Sequence, residues 1–141
     1  METSILIVED EGLIALDLQR ELEKAGYTVV MVDDNGAEAL LSVEHLQPSL
    51  VLMDIRLRGA LDGIETAEQI RRQFHVPVIF VTAYADRQTL ERARIAGPFG
   101  YIVKPFQGVD FRDRIEKALR RHHTERKLRV VAPGSREPFK T

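Results

Sequence analysis

The chain reads as a doubly wound α/β domain, a parallel sheet with helices packed on both faces. Three observations predict it. Five short apolar runs alternate with five segments of helical period. The runs are continuously apolar rather than alternating, as strands buried on both faces are. Gly or Pro stands at several of the junctions, where chains turn. Strands separated by helices of roughly 10–15 residues form right-handed βαβ units, and their helices must cover both faces of the sheet.

Each element has its own signal. Ser4-Ile5-Leu6-Ile7-Val8 is a β-branched, apolar first strand, interrupted by Glu9-Asp10-Glu11-Gly12. Ile14, Leu18, Leu22 and Ala25 then fall on one helical face, and Gly26 ends that helix. Tyr27–Val32 is the second strand, and Asn35 with Glu38 forms a capping pair for a helix running to about His45. Ser49–Asp54 is the third strand, bounded by Gln47-Pro48 and the stretch Arg58–Gly63. Asp62 and Glu65 cap the next helix, whose Ile64, Ala67, Ile70 and Phe74 make one apolar stripe. Pro77–Thr82 is the fourth strand, with proline at the tolerated first position. A helix from about Asp86 to Ala96 turns Leu90 and Ala93 inward and stops at Gly97-Pro98. Phe99–Val103 is the fifth strand, followed by Lys104-Pro105, and a last helix from near Val109 uses Phe111, Ile115, Ala118 and Leu119.

Composition narrows the function classes. With 141 residues, 44% hydrophobic and 30% charged, the chain suits one globular domain with a real core. A formal charge of -2 gives no whole-surface affinity for nucleic acid or anionic membrane. There are no cysteines, which excludes disulfides, thiolate metal sites and a cysteine nucleophile. No signal peptide or membrane span is legible, so a cytoplasmic location is the expectation.

Chemistry gathers at the strand exits. In a parallel sheet these lie along one edge, where open α/β sheets place their ligands. They carry Glu9 and Asp10, Asp33 and Asp34, Asp54, Thr82 and Lys104. Crowded carboxylates repel unless a cation compensates them, and an all-oxygen set suits Mg²⁺. A lysine and a threonine hydroxyl can each meet a phosphate oxygen. The combination describes Mg²⁺-assisted phosphoryl transfer onto a carboxylate.

Each signal alone has an ordinary structural explanation. A strand-end Asp is more often a helix cap than a nucleophile, and Lys104-Pro105 is a common turn dipeptide. Asp33 and Asp34, followed by Asn35-Gly36, belong to a turn. The joint occurrence of the others, each at a strand exit in this chain order, is what raises the functional reading.

At these segments the chain resembles the receiver domain of two-component response regulators. The matching stretches are Ile-Leu-Ile-Val-Glu-Asp-Glu, Leu-Val-Leu-Met-Asp-Ile-Arg-Leu, Asp-Gly-Ile-Glu, Val-Ile-Phe-Val-Thr-Ala-Tyr and Gly-Tyr-Ile-Val-Lys-Pro-Phe, from about Ser4 to Leu119. The resemblance implies a flavodoxin-like (βα)5 three-layer sandwich with strand order 2-1-3-4-5. It makes Asp54 the phosphoacceptor, served by a histidine kinase or phosphotransfer protein. It assigns Mg²⁺ (or Mn²⁺) to Asp10, Asp54 and the backbone carbonyl of Arg56, with Glu9 acting through a water. Lys104 would hold a phosphoryl oxygen, Thr82 would move toward the phosphoryl group, and the Tyr101 rotamer would follow. A cis peptide is implied at Lys104-Pro105. The implied output is a conformational change at the face formed by helix 4, strand 5 and helix 5, with a downstream protein target and a homodimer through that face among the expected partners. Neither direct nucleic-acid binding nor membrane insertion is expected. The implied chemistry is the chain's own phosphorylation and dephosphorylation, not turnover of a separate substrate.

The chain also departs from the family pattern. The loop after Asp54, Leu57–Gly63, lacks the usual proline and is one residue longer. Arg56 and Tyr84, two residues beyond Asp54 and Thr82, flank the site and are expected to prolong the phosphoryl lifetime by obstructing the hydrolytic water. The fourth-helix exit lacks the acidic residue that often precedes the tyrosine. Arg120–Arg129 reads as the solvated extension of the last helix rather than a nucleic-acid arm or a His122-His123 metal site. The boundaries expected are a receiver over 1–128 and a tail or linker over 129–141 without an output domain. The chain would then be a stand-alone regulator, or a receiver from a hybrid kinase or larger regulator. Two rivals are a small aspartyl-phosphate phosphatase and a flavin-binding domain of the same architecture. An aspartyl-phosphate phosphatase usually carries a second acid two residues after its nucleophile, where this chain has Arg56. A flavin-binding domain wants glycines and hydroxyls where this chain has Glu9-Asp10-Glu11-Gly12.

Overall fold

The computed structural model describes residues 3–83, 87–104 and 108–131, the last stretch with side chains for 111–125. Five strands and five helices alternate: β1 Ser4–Val8, α1 Gly12–Lys24, β2 Thr28–Asp33, α2 Gly36–Leu46, β3 Leu50–Asp54, α3 Gly63–Phe74, β4 Val78–Thr82, α4 Arg87–Ile95, β5 Gly100–Val103 and α5 Gly108–Val131. The strands form one sheet in the order β2-β1-β3-β4-β5, every pairing parallel, which is the expected arrangement.

The alternation of side chains along a strand divides the core into two layers. Leu6, Val8, Val51, Met53, Val78 and Phe80 pack with Ala39 and Val43 of α2, Ile64, Ala67 and Ile70 of α3, and Ala93 of α4. Ile5, Ile7, Leu50, Leu52, Ile79, Val81 and Ile102 face the other way, against Leu18 and Leu22 of α1 and Phe111, Ile115 and Ala118 of α5. Every residue of β3 and β4 is buried. Each large aliphatic side chain sunk this way contributes about 1.5–3 kcal/mol, so the central strands are the most firmly anchored part of the sheet.

The expected helix ends are present. Asn35 accepts from the Glu38 amide at 2.9 Å. Asp62 and Glu65 close a full capping box, with Glu65 N donating to Asp62 Oδ1 at 2.8 Å and Asp62 N to Glu65 Oε1 at 3.0 Å. Leu90, expected inward, is half-buried; among α4's residues only Ala93 is buried. Two arginine contacts supplement that thin packing: Arg92 Nη2 lies 3.0 Å from Asp62 Oδ2, and Arg71 Nε donates to the Ala96 carbonyl at 2.7 Å.

α5 continues through Val131, into the stretch read from sequence as tail. Its extension is seated on the α3–β4 and α4–β5 connections. His122 Nε2 lies 3.0 Å from the His75 carbonyl oxygen, its ring meets Phe99 edge-on at 5.6 Å, and the Arg121 guanidinium stacks 4.8 Å from the Phe99 centroid. His122 thus has a packing role, as does Arg121. No helix among the described residues is long and apolar enough to cross a membrane.

Candidate functional site

The strand exits converge because all five strands run the same way and end in near register. Asp54 sits opposite Val81, and Thr82 opposite Val103. The Glu9 amide donates to the Asp33 carbonyl at 2.9 Å, and the Lys104 amide to the Thr82 carbonyl at 2.8 Å. Backbone pairing therefore continues one residue past the strands, which holds Glu9 and Lys104 rigidly at the sheet edge. A pocket of about 280 Å³ opens there, lined by Asp10, Glu11, Asp54, Arg56, Arg58, Thr82, Ala83 and Lys104.

Glu9, Asp54 and Thr82 are buried polar groups in a chain whose other acids are mostly outside. Asp10 is half-buried. One carboxylate oxygen from each of Glu9, Asp10 and Asp54 lies within 4.8 Å of the others. Lys104 Nζ stands 3.2 Å from Glu9 Oε1, the Glu11 amide donates to Glu9 Oε2 at 3.3 Å, and the Arg56 amide donates to Asp54 Oδ1 at 3.1 Å. Asp10 Oδ2 is met by Arg58 Nε at 3.5 Å.

This crowding shifts the acids. Burial, joined by the charge of Asp54, pushes Glu9 up to about 7, against the opposing pull of Lys104. Burial also raises Asp54, while the Arg56 amide and Lys104 favour its ionised form. The residues fit a divalent cation. The donor set is hard carboxylate oxygen, and Oε1 of Glu9 is buried with the Lys104 ammonium nearby but no hydrogen bond of proper geometry among the described residues.

Most sequence-predicted site residues come together here: Glu9, Asp10, Asp54, Arg56, Thr82 and Lys104. Tyr101 stands further along β5. It is half-buried, its ring centroid 6.1 Å from that of Phe80, and its carbonyl accepts from Arg114 Nη1 at 3.1 Å. Asp33 and Asp34 stay out of the cluster, but only Asp34 lies in the turn; Asp33, read as a turn residue from sequence, is the last residue of β2, paired with Val8. Ser42 Oγ donates to Asp33 Oδ2 at 2.6 Å and Asn35 Nδ2 to Asp34 Oδ1 at 2.8 Å. Tyr84 and Pro105, and with Pro105 the Lys104-Pro105 peptide, lie outside the described residues.

Two contributors were not singled out from sequence. Arg58 was read only as part of the aberrant loop, yet it reaches the site. Gly63, the first residue of α3, lets that helix press on the end of β3: a Cβ there would stand 1.9 Å from the Asp54 carbonyl oxygen. The Asp62-Gly63 pair at a capped helix start was the available signal.

Comparison with known proteins agrees with the geometry. The family model described as response regulator receiver domain matches residues 5–116. The chain is 40% identical to the transcriptional regulatory protein PdtaR of Mycobacterium tuberculosis over 117 residues, 83% of this chain and 57% of that protein. It is 40% identical to the phyllosphere-induced regulator PhyR of Methylorubrum extorquens over 121 residues, 84% of this chain and 44% of that protein. The chain thus spans about half the length of these curated relatives. Among solved structures, the signal receiver domain of a modulated diguanylate cyclase from Desulfovibrio desulfuricans superposes with a TM-score of 0.85 at 41% identity, covering 89% of this chain and 99% of that one. A CheY-like receiver domain protein from Methanospirillum hungatei gives 0.80 at 29% identity, again over 89% and 99%. With the fold, the acidic edge and the matched span in agreement, this chain belongs to the response regulator receiver family.

Proposed function

We propose that the chain takes a phosphoryl group from the phosphohistidine of a sensor histidine kinase or phosphotransfer protein onto Asp54, with Mg²⁺ (or Mn²⁺) bound among Glu9, Asp10, Asp54 and the carbonyl of Arg56. The observation that carries this reading is the buried Asp54 carboxylate, which shares one pocket with Asp10, Thr82 and Lys104. An Asp54 oxygen would attack phosphorus, forming an acyl-phosphate P–O bond as the P–N bond to the donor imidazole breaks. The bound cation would offset charge on the acids and the incoming phosphoryl oxygens. Lys104 would shift part of its charge from Glu9 to a phosphoryl oxygen, and the Thr82 hydroxyl would donate to another. The Arg56 amide, already on Asp54 Oδ1, holds the carboxylate in one orientation. The chain would act only on itself and turn over no separate substrate.

The signal would leave through α4, β5 and α5. Support comes from the thin packing of α4, of whose residues Ala93 alone is buried. A shift of Thr82 at the end of β4 would bias a pre-existing equilibrium of this helix, with Tyr101 following. Ile95 and Val103 are exposed large hydrophobics on that face, suited to a downstream protein or a second copy of the chain. The cytoplasm, where such kinases present their phosphohistidine, is the proposed location.

A second reading, that this receiver acts within a larger regulator or hybrid kinase, is favoured by the partial span over its relatives. The phosphatase alternative draws no support from Arg56, which occupies the position where such enzymes usually carry a second acid.

Incubation with acetyl phosphate and Mg²⁺, read by intact mass, tests the core of the proposal. The wild type gains one phosphoryl group, and Asp54→Asn and EDTA-treated samples gain none. Gain by Asp54→Asn, or no gain by the wild type, overturns it.

A further inference from the structure

Each acid of the cluster has its own compensating group, and the three differ in permanence. Glu9 is served by Lys104, whose side chain is only 12% exposed. Asp54 is served by a backbone amide. Asp10 is served by Arg58, 3.5 Å away and 85% exposed, so this cation is held by its tip over the mouth of the pocket. The next residue, Gly59, has φ +106, a backbone conformation that glycine adopts without strain, with open space beside it.

We infer that Arg58 is a tethered stand-in for the divalent cation: it occupies Asp10 while the metal is absent and must leave when the metal binds. The inference rests on the metal site proposed above and assigns that site a built-in competitor. Three carboxylate oxygens within 4.8 Å of one another call for positive charge. A guanidinium on Asp10 supplies it reversibly, because an exposed pair is weak enough to be displaced. A guanidinium and a divalent ion on the same carboxylate repel each other, so the two alternate rather than coexist. Arg58 thereby lowers the affinity of the site for the metal, keeping the acid cluster compensated in either condition. The loop between β3 and α3 carries it to the pocket mouth.

The test is Mg²⁺ binding to the unphosphorylated chain, measured by calorimetry and by the relaxation of water protons with Mn²⁺. Arg58→Ala should bind about two- to fivefold more tightly than the wild type, and the gap should shrink in high salt as screening removes the competition. Arg58→Lys should fall between them. Lys24→Ala, which removes one positive charge on the far end of α1, should bind as the wild type does. Equal or weaker binding by Arg58→Ala, in a wild type that binds Mg²⁺ and loses it on Asp10→Asn, overturns the inference and leaves the metal site standing. A wild type that binds no Mg²⁺, or binds it as well after Asp10→Asn, overturns both. Thermal unfolding in EDTA identifies a misfolded variant; should Arg58→Ala misfold, the Arg58→Lys comparison decides.

Discussion

Lys104 holds its ammonium 3.2 Å from Oε1 of Glu9, so a cation supplied after β5 serves the acid that follows β1. The two positions are separated by the ends of β3 and β4, and Asp54 and Thr82 lie between them. The pair spans Asp54, the proposed phosphoacceptor. A phosphoryl group on Asp54 would therefore arrive between the lysine and the acid cluster, and Lys104 need only turn toward it.

Glu9 should make the metal-free protein sensitive to pH. Its native pKa, about 7, lies above the ordinary 4.5, so the native state holds this proton more tightly than the unfolded chain. That contribution is fully present below about pH 4.5 and is lost as pH rises through about 7. In EDTA, urea midpoints should fall over that window by a stability loss on the order of 2–3 kcal/mol. Glu9→Gln should flatten this part of the profile, and Mg²⁺ should restore stability at the alkaline end.

Gly63→Ala should be severe for a helix-start substitution. The new Cβ would meet the Asp54 carbonyl oxygen at 1.9 Å and the Ile55 Cα at 2.9 Å, both backbone atoms that cannot rotate away. A loss of more than about 3 kcal/mol in urea unfolding is expected. Phosphorylation of the surviving folded fraction should drop as well, because α3 would push the Asp54 strand end out of place.

Asp62 has two tasks that can be separated. Oδ1 caps α3, while Oδ2 pairs with Arg92 of α4. Asp62→Ala should cost about 1–2 kcal/mol from the lost cap. Asp62→Asn should retain most of the cap and weaken the tie to α4. A double-mutant cycle with Arg92→Ala should return a coupling of about 0.2–1 kcal/mol, and hydrogen exchange should show α4 opening more readily in every variant lacking the pair.

The phosphoryl lifetime should depend on Arg56 and Tyr84. If their bulk obstructs the hydrolytic water, the Arg56→Ala, Tyr84→Ala double variant should lose phosphate faster than the wild type, and about tenfold would correspond to ~1.4 kcal/mol of barrier. The decay of the phosphorylated mass after removal of acetyl phosphate measures it. A slower loss in the double variant would mean that these side chains assist the water.

Much of this protein is local, and what is local was legible in the sequence. Continuous apolar runs such as Leu50–Met53 mark buried strands, the Asp62/Glu65 and Asn35/Glu38 pairs mark helix starts, and the chain order of Glu9, Asp10, Asp54, Thr82 and Lys104 marks the site, because parallel strands bring all their exits to one edge. Those signals depend on residue type and spacing over a few positions, where backbone geometry leaves few choices. What only the tertiary structure decided depends on approach between distant segments. Lys104 serves Glu9, Arg58 covers Asp10, Gly63 is pressed against the Asp54 carbonyl, Arg92 joins the cap of α3, and the basic end of α5 is seated on His75 and Phe99. A charge or a glycine in sequence states only what it could pair with or tolerate. Which partner it meets is set by packing and by the few ångströms over which a charge pair or a steric clash acts.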